Sequence, residues 1–297
     1  MTKLIGLTGA YDFLERMILE PAGARYNPDW KKARENLENS HDENLDYLGT
    51  YFPRTVLESA VIFEHLMRTM PSVKKMLAER DVIRVLGCGT GGELLGFLIA
   101  LGWEFNWELP AVEVDAIDGN EDALGMMQDI MHLCRDKWDF DLRVRTVTHK
   151  AEKSGFAPAN VKLRDDYDVL VTSKCLGELN AVSQTPFLDF VCEFFDSIAP
   201  EGLIVMMDVT SRQPHNRGND WTNLQMTGEF DTHRLVRVEN IGPEAADRFL
   251  NSGSPGSYWR DVIEEGYTIR EISKAEGDAP AAGKKGMDDL KRLFGDL

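Results

Sequence analysis

The pattern of hydrophobic and polar positions changes character near residue 80. Before that point apolar residues recur at three- and four-residue spacing, most clearly from Thr55 to Arg80, which is typical of amphipathic helices. Pro71 interrupts this run, so the sequence predicts two shorter helices in its place. The polar segment 39–43 supplies capping residues for another short helix. We therefore expect residues 1–80 to form an N-terminal helical cap region.

From residue 81 onward, short apolar strands alternate with helical segments. The predicted strands are 81–87, 112–118, 142–148, 167–173 and 202–209, followed by 233–241 and 267–273. The predicted helices include Glu93–Leu101, Glu121–Lys137 and Phe187–Ile198. Such alternation implies crossover connections, and hence an α/β fold with a doubly wound, Rossmann-like, mostly parallel sheet. We expect this domain to span residues 81–275, with 276–297 forming a linker and a short C-terminal helix.

Charge and cysteine usage narrow the functional classes. The chain has 297 residues and a formal net charge of -17, which disfavours bulk nucleic acid as a partner and favours small molecules, peptides or proteins. Its four cysteines include no CxxC pair, which fits a reducing compartment. No apolar run approaches the ~20 residues of a membrane span, and Asp12 interrupts the first apolar patch early. We expect a cytoplasmic protein without membrane contact; the sequence does not indicate its oligomeric state.

The densest glycine segment, VLGCGTGGE at residues 85–93, lies between the first predicted strand and the helix after it. Glycine permits positive φ angles and lets the backbone approach a ligand closely, and the following helix directs its N–H groups into the same space. A tight strand-to-helix turn would need the same residues. No GK[ST] follows, which excludes a P-loop.

The second predicted strand ends in Asp118, followed by Gly119 and Asn120. A carboxylate at a strand end can accept hydrogen bonds from both hydroxyls of a ribose. Alternatively, Asp118 could cap the next helix, although Asn120 could take that role instead. A nicotinamide or flavin dinucleotide would use the same pair of loops. However, Asp118 lies 27 positions after Gly91 (118 − 91), whereas the dinucleotide fingerprint places its acidic residue about 20 positions on.

Four segments in succession resemble the motifs of class I S-adenosylmethionine-dependent methyltransferases. They are VLGCGTGGE, AIDGN, YDVLVTSKCLGEL and APEGLIVMMDV, and the resemblance covers residues 81–210. It implies a seven-stranded sheet with a reversed last strand and S-adenosyl-L-methionine as cofactor. The methionine part would lie over the glycines, Asp118 would hold the ribose, and residues 149–152 would flank the adenine. The candidate cofactor-binding residues are Gly87, Cys88, Gly89, Gly91, Asp118, Gly119, Asn120 and Ser173, with Tyr51 and Arg54 from the helical cap.

Two of these candidates come from the segment before the long helix. Arg54 could bind the methionine carboxylate, and Tyr51 could close the pocket. Alternatively, Arg54 is paired on the surface with a nearby carboxylate.

Methyl transfer is an in-line displacement that depends on positioning and on removal of a proton from the acceptor where needed. Residues at the strand ends are therefore candidates: Lys174 and Glu178 lie just past the fourth strand, and Asp208 ends the fifth. His215 lies in a basic loop with Arg212 and Arg217, and is the residue best suited to act as a general base near neutral pH. Capping, ion pairing or plain solvation would explain the same residues. The sequence shows no cluster of oxygen ligands, so we predict no metal.

These observations predict a methyltransferase that acts on an O or N atom of a small molecule, peptide or protein. An RNA methyltransferase is the alternative in which the basic loop, together with Lys150 and Lys153, contacts phosphates. A catalytically inactive binding or assembly protein with the same fold is the other. Donation of the aminocarboxypropyl group of the cofactor, in place of methyl, is a further possibility.

Overall fold

Seven strands form a single sheet in the computed structural model of the chain. The structure describes residues 6–27, 40–88, 90–150, 155–158, 161–173, 190, 193–208, 234–239 and 268–272. The strands are β1 (Val82–Cys88), β2 (Ala111–Asp118), β3 (Leu142–Thr148), β4 (Tyr167–Ser173), β5 (Ile198–Asp208), β6 (Arg234–Glu239) and β7 (Thr268–Ile272).

The strand order is β3-β2-β1-β4-β5-β6-β7. Neighbouring strands from β3 to β6 are parallel, and only β7 runs antiparallel, against β6. The order reverses at β1, which is where the two halves of a doubly wound sheet meet. The predicted Rossmann-like, mostly parallel sheet is confirmed, and so is the reversed last strand that the methyltransferase resemblance implies.

Helices occupy most of the described chain before β1. They are α1 (Gly6–Phe13), a π-helical segment (Leu14–Leu19), α2 (Glu20–Ala22), α3 (His41–Thr50), α4 (Phe52–Thr69) and α5 (Pro71–Ala78). Pro71 separates α4 from α5, as predicted. Ser40 and Glu43 form a capping box at the start of α3, which confirms the predicted cap. None of the helices in the described segments combines the length and apolarity that a membrane span requires.

Two helices follow β1 and β2: α6 (Gly92–Glu104) and α7 (Glu121–Trp138). Every residue of α6 from Gly92 to Gly102 is buried. A helix that is apolar on all sides needs cover on all sides. For α6, α4 lies directly against one side and the sheet lies against another. Gly96 permits this close approach, because a Cβ there would lie 2.5 Å from Ser59 Cβ and 2.8 Å from the backbone nitrogen of Ala60. One hydrophobic core therefore runs from the N-terminal helices through α6 to the sheet.

The segment before β5 differs from the prediction. The predicted helix Phe187–Ile198 is described only at residues 190 and 193–198, where a 3₁₀ turn (Phe195–Ser197) ends it one residue early. Ile198 begins β5, where it pairs with Tyr167 of β4 and is 4% exposed. Strand pairing and burial have outweighed the local helical pattern at this position. Two further segments with a helical pattern, 243–250 and 257–265, and the C-terminal region 276–297 lie outside the described residues.

The face of the sheet opposite α6 carries a ladder of charges across three strands. Arg84 of β1, Glu113 of β2 and Arg143 of β3 are directly opposite one another in the strand register. Glu113 lies 3.4 Å from Arg84 Nε and 3.0 Å from Arg143 Nη1. Opposite charges on neighbouring strands are favourable cross-strand pairs. The alternation of Arg143 and Arg145 with Leu142 and Val144 therefore places the basic residues of β3 on this polar face.

Asp115 is the buried centre of a second charged group on the same face. It is 3% exposed and accepts two hydrogen bonds from Arg145, at 2.8 and 2.6 Å, and one from the hydroxyl of Tyr167. Burial, together with the neighbouring Asp115 carboxylate, raises the pKa of Tyr167 above its usual value. The Tyr167 hydroxyl therefore keeps its proton and acts as a donor throughout the physiological range.

Tyr167→Phe removes the hydroxyl, which donates to Asp115 and also accepts a 3.4 Å hydrogen bond from the backbone N–H of Arg164. We expect it to lower the free energy of unfolding by about 2 kcal/mol, the range typical of a hydrogen bond to a charged group. Urea unfolding followed by circular dichroism measures the change. A midpoint equal to that of the unmodified protein would contradict this account of the Asp115 group.

Candidate functional site

The glycine segment forms the connection between β1 and α6. Gly91 is the N-cap of α6 and has a φ of +80°, in the left-handed region that favours glycine. Because Gly91 has no side chain, the N–H groups in the first turn of α6 point toward the carboxyl edge of the sheet without a side-chain acceptor at the cap position. The prediction of a glycine turn leading directly into a helix is correct.

Three of the glycines lie against other parts of the protein. A Cβ at Gly87 would lie 2.9 Å from Leu94, and one at Gly92 would lie 3.0 Å from Thr55. A Cβ at Gly91 would overlap the side chain of Met127 on α7. Packing between elements therefore explains the absence of a side chain at these positions. Gly89, the fourth glycine of the segment, lies outside the described residues, as does the side chain of Cys88 at the end of β1.

Asp118 ends β2 beside this turn, because Cys88 and Ile117 are partners in the register of β1 and β2. Its Oδ1 accepts a hydrogen bond of 2.8 Å from the backbone N–H of Asn120. Asn120, and not Asp118, caps α7: its side-chain oxygen accepts from the N–H of Ala123 at 3.1 Å. The carboxylate of Asp118 is therefore not used as the helix cap, and Gly119 is the single residue between the two.

His149 follows β3 on the other side of Asp118. Its backbone N–H donates to the carbonyl oxygen of Asp118 at 2.8 Å, which joins the ends of the two strands. Its Nε2 is buried and has no hydrogen-bond partner among the described residues. Glu152, which the resemblance also places near the adenine, lies outside them.

The start of α4 adjoins the glycine turn through the contact of Thr55 with Gly92. Tyr51 immediately precedes α4, and Arg54 lies in its first turn. Arg54 forms an ion pair with Glu58 one turn along the helix. The predicted alternative of a paired arginine is thus observed, but the pair is partly buried, with side chains only 15% and 6% exposed, and is not on the surface.

The remaining predicted residues divide into two groups. Ser173 and Asp208 end β4 and β5, and so lie at the same carboxyl edge as Asp118, although their side chains are outside the described set. Three predicted catalytic residues lie wholly outside the described segments: Lys174, Glu178 and His215. Among the residues that are described, no group of three or more His, Cys, Asp or Glu side chains could hold a metal ion.

Sequence analysis missed a polar contact between α3 and the corner formed by β2 and α7. Asn44 is 3% exposed and donates to Asp122 Oδ2 at 2.8 Å, while His41 Nδ1 lies 3.0 Å from Asp122 Oδ1. The sequence contains one indication of this contact. Asn44 lies one turn before Leu48 on the buried face of α3, so a polar amide occupies a position where an apolar residue is expected.

The hydrogen bond from Asn44 lowers the pKa of the Asp122 carboxyl; partial burial opposes this effect, and His41 lowers the pKa further. A carboxyl whose pKa is lower in the folded than in the unfolded state stabilises the fold above its unfolded pKa. The contribution of Asp122 is thus fully present above about pH 4 and is lost as the pH falls through its folded-state pKa.

Comparisons with known proteins give structural matches alone. No protein-family model matches the sequence, and no curated protein is significantly similar to it. Solved structures that match include the plantazolicin methyltransferase in complex with SAH, at 11% identity, over 86% of this chain and 70% of that chain, with a TM-score of 0.35. A protein of Methanococcus maripaludis, described as a candidate S-adenosyl-L-methionine-dependent methyltransferase, matches at 13% identity, over 87% and 100%, with a TM-score of 0.38.

A third match is the [4+2]-cyclase SpnF, at 13% identity, over 69% of this chain and 78% of that chain, with a TM-score of 0.36. At such identities and scores, the fold of this chain is established by its own strand order. That order defines a Rossmann-like sheet of the kind that the resemblance to class I methyltransferases implies.

Proposed function

We propose that this protein is an S-adenosyl-L-methionine-dependent methyltransferase. The observation that supports this most directly is the meeting of two features at the carboxyl edge of β1 and β2. One is the glycine turn at Gly91, which leads into a helix without a side-chain cap; the other is the Asp118 carboxylate on the neighbouring strand. Ligands of parallel α/β sheets bind at this edge, beside the point where the strand order reverses.

The polar groups at this edge fit the nucleoside part of the cofactor. A carboxylate can accept hydrogen bonds from two ribose hydroxyls, and Asp118 is held in place by the Asn120 N–H. The buried Nε2 of His149, which has no hydrogen-bond partner among the described residues, lies where the resemblance places the adenine. An adenine amino or ring nitrogen would supply that partner. The remaining proposed contacts are those of the glycines, Cys88, Ser173, Tyr51 and Arg54.

S-adenosyl-L-methionine supplies an electrophilic methyl group on a sulfonium. The chain then has to align an acceptor with that group, exclude water and, for a protonated acceptor, take up a proton. We propose Lys174, Glu178, Asp208 and His215 for these roles, because Asp208 ends β5 and the other three come after β4 or β5 in the sequence. We further propose that residues 81–275 bind the cofactor and that the cap, residues 1–80, closes one side of the site.

We propose an O or N atom of a small molecule, peptide or protein as acceptor. The net charge of -17 supports this choice over RNA, because a strongly acidic surface repels phosphates.

Isothermal titration with S-adenosylmethionine and with S-adenosylhomocysteine tests the proposal. We expect one binding site per chain for each, and absence of binding would overturn it. Binding without turnover of any offered acceptor would favour the inactive binding protein. The mass of a modified acceptor separates transfer of methyl from transfer of aminocarboxypropyl, and salt-dependent binding of RNA would favour the RNA methyltransferase.

A further inference from the structure

A continuous series of hydrogen bonds connects α3, in the helical cap, to the turn between β2 and α7. Asn44 of α3 and Asn120 exchange amide contacts: Asn120 Nδ2 donates to Asn44 Oδ1 at 3.2 Å, and Asn44 Nδ2 lies 3.4 Å from Asn120 Oδ1. Asn44 also donates to Asp122 at 2.8 Å. Both asparagines are buried, at 3% and 7% exposure, so their amides are arranged by each other and not by solvent.

Asn120 connects this pair of amides to the end of β2. Its side-chain oxygen caps α7 through Ala123, and its backbone N–H holds Oδ1 of Asp118. A shift of Asn120 therefore moves the donor that orients the Asp118 carboxylate. The hydrogen bonds of Asn44 go to Asn120 and Asp122, so Asn44 is connected to Asp118 through one intermediate residue.

We infer that Asn44 is a positioning residue for ribose recognition, so that an α3 side chain sets how well Asp118 distinguishes ribose from deoxyribose. This inference rests on the proposed function, because it takes Asp118 to be the ribose-binding carboxylate. Without Asn44, the side-chain amide of Asn120 loses a buried acceptor. Asn120 is then held less firmly, and so is the Asp118 carboxylate that accepts from its backbone N–H. A carboxylate that is no longer held in one orientation forms weaker hydrogen bonds to both hydroxyls.

The test compares two ligands on three proteins. Affinities for S-adenosylhomocysteine and for its 2′-deoxyribose analogue are measured by calorimetry on the unmodified chain, on Asn44→Ala and on Asp46→Ala. We expect Asn44→Ala to bind S-adenosylhomocysteine about 10-fold more weakly but the deoxy analogue less than about 3-fold more weakly, so that the preference for ribose falls.

Asp46→Ala is the matched control on the same helix. Asp46 contacts Arg25 at 2.7 Å and Asn27 at 2.8 Å, so the variant loosens α3 by removing these contacts and leaves the Asn44 side chain in place. We expect its ribose preference to equal that of the unmodified chain. A general loosening of the cap would weaken the binding of both ligands equally in both variants. A positioning role would change the ratio of the two affinities in Asn44→Ala alone.

Thermal unfolding establishes that each variant is folded, and Asn44→Ser replaces Asn44→Ala if the latter is not. An unchanged ribose preference in the Asn44 variant would overturn the inference while leaving the proposed function intact. Failure of the unmodified chain to bind S-adenosylhomocysteine would overturn the proposed function, and this inference with it.

Discussion

Asp118→Ala is expected to weaken binding of S-adenosylhomocysteine by at least about 100-fold. The carboxylate would accept two hydrogen bonds from the ribose, and bonds to a charged group contribute ~1.5–3 kcal/mol each. Losing both removes at least about 3 kcal/mol, which corresponds to about two orders of magnitude in Kd. Calorimetry on the purified variant measures the change. Because Asn120 and not Asp118 caps α7, the helix start keeps its cap in the variant.

Asp129→Ala is the control for this substitution. Asp129 is an exposed carboxylate on α7, the helix that follows Asp118, so the variant has the same change in net charge. We expect its affinity to stay within about 2-fold of that of the unmodified chain, because exposed charges contribute little. Equal affinities for Asp118→Ala and the unmodified chain would place the ribose elsewhere, and would contradict the proposed geometry of the site.

The second large effect concerns stability. Gly91→Ala is expected to lower the free energy of unfolding by about 3 kcal/mol, as the sum of left-handed backbone strain and overpacking. Gly91 has a φ of +80°, and its added methyl group would overlap Met127 of α7. Met127 is fully buried, so its side chain has little space to move. Chemical denaturation measures the difference.

Gly125→Ala provides a control of the opposite sign. Gly125 lies inside α7, where an added Cβ meets no atom within 4 Å, and its φ is not positive. Alanine at such a helical position is expected to stabilise the protein by about 0.5–1 kcal/mol. If Gly91→Ala were as well tolerated as Gly125→Ala, the turn before α6 would not need glycine.

Periodicity and turn residues were sufficient to predict most of the fold. The alternation of strands and helices from residue 81, the division of the long helix at Pro71 and the capping box at Ser40 all depend on neighbours close in sequence. The start of β5 at Ile198 was missed because it depends on pairing with Tyr167, which is about thirty positions away in the sequence. A local pattern carries no information about such a partner.

The candidate site could be predicted only in part, for a related reason. Strand ends can be located from the sequence, and in a parallel sheet they meet at one edge, so Asp118 and the Gly91 turn were identified as neighbours. The contribution of α3 was not, because the contact of Asn44 with Asn120 joins residues 76 positions apart and uses an ordinary amide. The packing contacts of Gly87 and Gly92 were also missed, because a glycine motif indicates where side chains are absent and not what fills the space.

The enclosure of α6 has a consequence for exchanging parts between related proteins. Because α4 covers α6 and approaches it closely at Gly96, the cap and the sheet have to match in shape along the whole crossing. A chimera that joined a foreign cap to residue 81 would leave apolar surface of α6 facing water and promote self-association. The cap is therefore more readily altered by substitutions within it than by replacing it as a module.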